Sequence, residues 1–82
     1  MKKEDENNIK TVLGNLLRQE RKKAGFTMLE VATYFGHHKS WLGDIETGSN
    51  NISATILISL LDYYQTDTVE FTKKAVEQMR HE

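Results

Sequence analysis

Residues 27–48 contain two short helical patterns on either side of a glycine, and no other feature constrains the fold of this chain as strongly. Thr27 and Glu30 have the spacing of a capping box, in which each side chain binds the backbone amide of the other residue at the start of a helix. Apolar residues then recur with helical spacing as far as Phe35. Gly36 follows at the position where this helix must end. The pattern predicts helices at residues 28–35 and 39–46, joined by a tight turn.

Three further amphipathic patterns surround this pair. Apolar residues from Ile9 to Leu17 recur with the spacing of one helix face. Ser53 and Asp67 are favourable N-cap residues for two later helices. Residues 1–8 are polar and without periodicity, and we interpret them as a mobile N-terminal tail. No segment alternates convincingly like a strand, so the sequence predicts an all-α bundle of five helices, at about 9–24, 28–35, 39–46, 54–64 and 68–80.

The composition is that of one small globular domain. The chain has 82 residues, of which 38% are hydrophobic and 28% are charged. It has no cysteine, which excludes disulfides and thiolate metal sites and fits a reducing cytoplasm. No apolar run approaches the roughly 20 residues that span a bilayer, and the N-terminus has no apolar signal core. We therefore expect a soluble, cytoplasmic protein that does not bind a membrane.

Two short helices joined by a turn with a glycine form the helix-turn-helix layout, whose second helix enters the major groove of DNA. From LGNLLRQERKKAGF onwards, this chain resembles the phage-repressor-type helix-turn-helix family, also called the Xre or Cro type. The resemblance implies a compact five-helix, repressor-like DNA-binding domain at residues 9–72, with residues 73–82 as a C-terminal extension of the last helix. The matching residues are Leu13, Gly14, Arg18, Arg21, Gly25, Phe26, Thr27, Val31, Ala32, Gly36, Leu42, Ile45, Glu46, Gly48, Ile52, Ser53, Leu57, Leu60, Leu61 and Phe71.

In the resembled family, one face of the second motif helix meets the base edges. Here that face carries Lys39, Ser40, Gly43 and Asp44. Lys39 can donate to guanine, Ser40 can bind a base or a phosphate, and Asp44 can only accept, which favours a cytosine amino group. Gly43 has no side chain to offer. The face is chemically sparse, so the alternative of a solvated helix face that reads no sequence stays open.

A second set of residues is expected at the DNA backbone. Basic side chains cluster at the end of the first helix, and neutral donors precede the fourth helix beside free backbone amides. Met28 stands where many family members have a DNA-contacting glutamine, and Trp41 stands where tyrosine or threonine is common. Both can instead pack against the core. The expected backbone contacts are Arg18, Lys22, Lys23, Thr27, Met28, His38, Trp41, Thr47, Asn50 and Asn51.

Arg21 and Glu46 occupy positions that commonly form an ion pair in the resembled family. A guanidinium can bind a carboxylate through two parallel hydrogen bonds. Glu46 has apolar sequence neighbours, among which a lone buried charge would be costly. The resemblance therefore implies a structural pair that ties the first helix to the third, and the alternative is two separate solvated charges.

Enzymatic and metal chemistry have no support in the sequence. His37 and His38 are adjacent at a turn, where two imidazoles seldom converge on one ion, and no cysteine or suitably spaced histidine accompanies them. No phosphate-binding glycine loop or nucleophile motif occurs. We expect no enzyme activity, no metal, no cofactor and no small-molecule ligand.

The leading hypothesis is sequence-specific binding of double-stranded DNA by a small transcriptional regulator of the repressor type. A domain of this size reads few base pairs, which favours a homodimer on a two-fold operator. Ala75, Val76 and Met79 extend the apolar stripe of the last helix and are the expected dimer contact, unless the stripe folds back onto the first helix.

A rival hypothesis comes from the charge. The net charge is −1, whereas a nucleic-acid-binding domain is expected to have a basic surface. The alternative function is therefore a helix-turn-helix fold used as a protein-interaction module, such as an antirepressor or an assembly factor, with little or no DNA readout.

Overall fold

Five α-helices and no strand occupy the residues that the computed structural model describes, which are 3–80 for the backbone and 8–80 for the side chains. The predicted all-α class is confirmed. Among these residues, no helix combines the length and the apolar character needed to cross a membrane. The helices are α1 (Lys3–Ala24), α2 (Met28–Tyr34), α3 (Lys39–Thr47), α4 (Ala54–Tyr63) and α5 (Thr68–Arg80).

The first helix is longer than predicted. It begins at Lys3, so residues 3–8 continue α1 and do not form a separate tail, and residues 1 and 2 lie outside the described residues. The sequence of this first turn is acidic, and negative charge near a helix N-terminus is favourable. Apolar periodicity could not reveal a helical turn in which no residue is apolar.

The ends of the motif helices are set by local hydrogen bonds. At the start of α2, Thr27 Oγ1 accepts from the Glu30 amide at 3.1 Å, and Glu30 Oε1 accepts from the Thr27 amide at 3.0 Å. This is the complete capping box that the spacing predicts. Helix α3 ends at Gly48, whose φ of 78° is in the left-handed region that favours glycine. Ser53 Oγ caps α4 by accepting from the Ile56 amide at 3.1 Å.

The core lies where α1 packs against α3 and α5 and where α2 packs against α3. Its largest fully buried side chains are Leu17, Val31, Leu42, Leu60 and Leu61. Each helix therefore contributes one apolar face to a single cluster, and the opposite faces remain in solvent.

Helices α1 and α3 approach closely at Gly14. A Cβ atom at this position would lie 2.7 Å from the carbonyl oxygen of Glu46, and nearer still to that of Ile45. Any larger residue would push the two helices apart, so the glycine brings α3 against the rest of the domain.

Two of the three residues in the apolar stripe of α5, Ala75 and Met79, face inward. Ala75 is only 5% exposed, and Met79 packs against the core cluster. Burial within the protomer therefore removes Ala75 from the expected dimer contact, and it leaves Met79 only partly accessible. They lie four residues apart on the face that Phe71 shares, whereas the adjacent Val76 is turned away from it and is 37% exposed.

Candidate nucleic-acid interface

The turn between α2 and α3 holds the two helices of the motif together. Gly36 has a φ of 75°, which lets the chain reverse direction after α2. The amide of His37 donates to the Ala32 carbonyl at 2.9 Å, and the amide of Trp41 donates to the His38 carbonyl at 3.0 Å. Because Leu42 and Ile45 are buried against the core, the orientation of α3 about its axis is set by packing.

The opposite face of α3 is open to solvent. The side chains of Lys39, Ser40, Asp44 and Thr47 are exposed, and Gly43 lies between them partly exposed. The four residues proposed for base contacts are therefore brought together on one helical face. This face is polar and carries one cation and one anion, Lys39 and Asp44.

The loop after α3 is hydrogen-bonded to the end of that face. The amide of Ser49 donates to the Asp44 carbonyl at 2.9 Å, and the Asn50 side-chain amide donates to the Asp44 carboxylate at 3.4 Å. The hydroxyls of Thr47 and Ser49 are 2.9 Å apart. Residues 47–50 are thus an ordered continuation of the exposed face, and the adjacent Asn51 is exposed as well.

The basic residues of α1 divide between two faces. Arg18 and Lys22 are exposed and four residues apart, so they lie on the same side of the helix. Lys23 lies on another side, with its ammonium 3.7 Å from the carboxylate of Glu20. Glu20 also accepts a hydrogen bond from Thr66, which places Lys23 beside the segment before α5. The structure therefore does not bring Lys23 together with Arg18 and Lys22.

Arg21 and Glu46 form a bidentate ion pair between α1 and α3. Arg21 Nε donates to Glu46 Oε2 at 2.7 Å, and Arg21 Nη2 donates to Glu46 Oε1 at 3.2 Å. The two residues are only 7% and 8% exposed. Arg21 Nη1 also donates to the Phe26 carbonyl at 2.8 Å. The guanidinium therefore also links α1 to the turn between α1 and α2.

The electrostatics of this pair favour its charged form. The hydrogen bond to Glu46 raises the pKa of Arg21 above its usual range and outweighs the opposing effect of burial. Nearby, burial raises the pKa of Tyr64 well above the ordinary value for a phenol, and the charge of Glu46 adds to the effect. The Tyr64 hydroxyl has no hydrogen-bond partner among the described residues. Arg21 and Tyr64 therefore keep their protons throughout the physiological range.

Trp41 and Met28 pack partly against the core, whereas His38 is exposed at the start of α3. Trp41 stacks on His37, with the ring centroids 4.0 Å apart and the planes at 9°, and it packs against the core. Met28 is half-buried and also packs against the core. His38 is the N-cap residue of α3, but its side chain makes no capping hydrogen bond.

An aromatic cluster joins the motif to α4, and the sequence pattern did not reveal it. The Tyr34 and Tyr63 rings are 4.3 Å apart, and Tyr63 also lies 4.8 Å from Phe26 and 5.6 Å from Phe35. Tyr34 is nevertheless 66% exposed. These residues are too far apart in sequence for a local pattern to pair them. In the sequence, only their aromatic character indicated that they could pack together.

A comparison with protein-family models matches residues 12–72 to a helix-turn-helix domain. This match covers most of the chain and includes α2, α3 and the residues of α1 that contact α3 at Gly14 and Arg21. The chain belongs to the helix-turn-helix domain family. Membership indicates DNA binding and a role in transcription regulation, and domains of this family are typically not enzymes. The comparisons with curated proteins and with solved structures gave no match.

Proposed function

We propose that this helix-turn-helix domain is a sequence-specific regulator of the Xre or Cro type that represses transcription by occupying double-stranded DNA. The observation that carries the proposal is the exposed polar face of α3, which core packing and the Arg21–Glu46 pair hold in one orientation. A helix of about 10–12 Å diameter fits the major groove, which is about 12 Å wide. In this arrangement α3 is the recognition helix.

Base readout then falls to three of the polar side chains of this face, and Thr47 is left for the DNA backbone. Lys39 donates to the O6 and N7 acceptors of guanine, and Ser40 bonds to an adjacent base or phosphate. Asp44 accepts from a cytosine amino group. Its hydrogen bond with Asn50 orients the carboxylate toward the loop side of the helix.

Backbone contacts flank the recognition helix. Arg18 and Lys22 project from one side of α1 and supply positive charge for phosphates. Asn50, Asn51 and the hydroxyl of Thr47 supply neutral donors at the other end of α3. Thr27 at the start of α2 can donate its hydroxyl proton to a phosphate while its oxygen still caps the helix. Lys23 is left out of this interface because it lies beside Glu20 on another side of α1. Met28 and Trp41 are left out because they pack against the core.

The assignment of Lys39 is tested by selecting bound sequences from a pool of random duplexes. Lys39→Ala should relax selection at one guanine position, at a cost of about 1–3 kcal/mol for the preferred base. Lys22→Ala should weaken all duplexes similarly, since it removes a phosphate contact. Lys74→Ala removes the same charge from the exposed surface of α5 and serves as the control. Unchanged selection by Lys39→Ala would refute the base contact.

We further propose that the protein binds as a homodimer through the outer face of α5. Val69 is 67% exposed and Val76 is 37% exposed, and both line a shallow apolar groove on that face. A two-fold axis uses the same patch on both protomers. An antiparallel pair of α5 helices centred between Thr72 and Lys73 places Val69 of one protomer opposite Val76 of its partner.

A second candidate function is a protein-interaction module with little DNA readout. The net charge of −1 and the carboxylate of Asp44 on the exposed face favour it, as does the exposed aromatic surface at Tyr34. A mainly apolar protein contact would change little with salt, whereas DNA binding falls steeply as counterions compete. Salt dependence therefore separates the two functions.

A further inference from the structure

Gly43 lies in the middle of α3, where a glycine weakens a helix. A glycine in a helix interior loses more conformational freedom on folding than an alanine does and adds no side-chain packing. A glycine at such a position is explained when the backbone needs a left-handed φ or when another part of the protein approaches too closely for a Cβ atom.

Neither explanation applies to Gly43, although one of them applies to each of the other four glycines. Three of those have positive φ, and Gly14 meets the backbone of α3. Gly43 has an ordinary helical φ, and a Cβ atom built there would have no neighbour within 4 Å. The fold of the monomer therefore gives no reason for a glycine at this position.

The surroundings of Gly43 indicate what approaches it from outside. Lys39, Ser40, Asp44 and Thr47 surround it on the exposed face, and each of them carries a polar group. Gly43 is the one place on this face that presents only CH and backbone atoms. In the major groove, the C5-methyl of thymine is the largest apolar group among the base edges, where cytosine has only a C5 hydrogen and the other groups are donors or acceptors.

We propose that Gly43 forms a socket for the C5-methyl of a thymine, so that the site read by α3 contains a thymine next to the bases read by Lys39 and Asp44. This inference rests on the proposed DNA-binding function and adds a specificity-determining position to it. The methyl packs on the Gly43 backbone, which lies nearer to the base edge than any residue with a side chain would permit. An alanine fills the same space with its own methyl group.

The test begins with the duplex that the unmodified protein selects from a random pool. Each thymine of that duplex is replaced in turn by deoxyuridine, which removes only the methyl. At one position, this replacement should weaken binding about fourfold, the effect of losing one buried methyl group. Gly43→Ala should bind the thymine and deoxyuridine duplexes equally and more weakly than the unmodified protein does. Ser40→Ala, on the same face, should retain the difference.

A stability measurement separates this result from a folding defect. Because alanine favours a helix interior, Gly43→Ala should raise the thermal midpoint by about 2–8 °C while it weakens binding. Gly14→Ala should lower the midpoint, since its methyl meets the backbone of α3.

Three results would overturn the socket while leaving the proposed function intact. These are a selected site without thymine, a site in which no deoxyuridine replacement matters, and a Gly43→Ala variant as sensitive to the missing methyl as the unmodified protein. If no duplex is selected at all, the result contradicts the proposed DNA-binding function, and the thymine socket at Gly43 is then contradicted as well.

Discussion

At the scale of single residues, the Arg21–Glu46 pair has the largest expected effect on stability. Both side chains are buried, and Arg21 remains charged at any accessible pH because its pKa is raised. Glu46→Ala leaves that charge buried without its carboxylate, at an expected cost of roughly 3–5 kcal/mol in the free energy of unfolding. Chemical denaturation measures this cost directly.

The matched control is Glu77→Ala, which removes the same side chain from an exposed position of α5. Its effect should stay within about 0.5 kcal/mol. Replacing both partners, with Arg21→Met and Glu46→Leu, should recover much of the lost stability, because no buried charge then remains unpaired. Equal denaturation midpoints for Glu46→Ala and Glu77→Ala would contradict a structural role for the pair.

The sequence indicated some of these residue positions and not others, for physical reasons. The face of Lys39, Ser40 and Asp44 follows from helical periodicity, since their spacing alone puts them on one side of α3. The placement of Trp41 against His37 and that of Lys23 beside Glu20 depend on side-chain rotamers and on distant elements, which periodicity does not encode.

At the scale of helices, the capping box of α2 makes the start of the motif sensitive to acid. Hydrogen bonds from the Thr27 backbone and side chain lower the pKa of Glu30 below its usual range. A lowered pKa in the folded state means that the carboxylate stabilises the fold above its unfolded-state pKa. This contribution is lost as the pH falls through the lowered value.

Thr27→Ala removes the hydroxyl and keeps the backbone amide that donates to the Glu30 carboxylate, so it should raise the pKa of Glu30 only part of the way toward that of an ordinary glutamate. NMR titration of the Glu30 carboxyl carbon measures the midpoint in both proteins. Thr33→Ala, at an exposed position of the same helix, should leave the midpoint where it is. An unchanged midpoint in Thr27→Ala would show that the Thr27 hydroxyl does not contribute to the lowered pKa of Glu30.

Helix boundaries were predictable where an apolar stripe or a cap marks them. Helices α2 to α5 begin at the predicted residues because Thr27, His38, Ser53 and Asp67 precede their first turns. The start of α1 was not predictable, because its first turn carries charge but no apolar residue. The sequence left open whether Ala75 and Met79 pack inside the protomer or against a partner, since an apolar stripe on α5 shows which residues share a face but not what covers it; Ala75 is buried and Met79 packs against the core.

At the scale of the whole molecule, the proposed dimer makes a specific prediction about α5. Val69→Asp together with Val76→Asp should give a folded monomer with much weaker operator binding, because charges in the groove oppose its burial. Ile58→Asp is the control: it changes another exposed apolar residue, 58% exposed, on α4. Sedimentation measures the state of each protein. An unmodified protein that is monomeric at high micromolar concentration without DNA would contradict the dimer.

If the face of α3 binds duplex DNA together with Arg18 and Lys22, the affinity must fall as the salt concentration rises, because these cationic side chains displace counterions from the phosphates. With about three cations displacing counterions, the logarithm of the association constant should fall with the logarithm of salt concentration at a slope of about −2 to −3 per protomer. Lys22→Ala should reduce the magnitude of this slope by about 1, and Lys74→Ala should not change it. Folded protein that binds no duplex at low salt, or binds with a slope near zero, would contradict DNA binding by this face of α3.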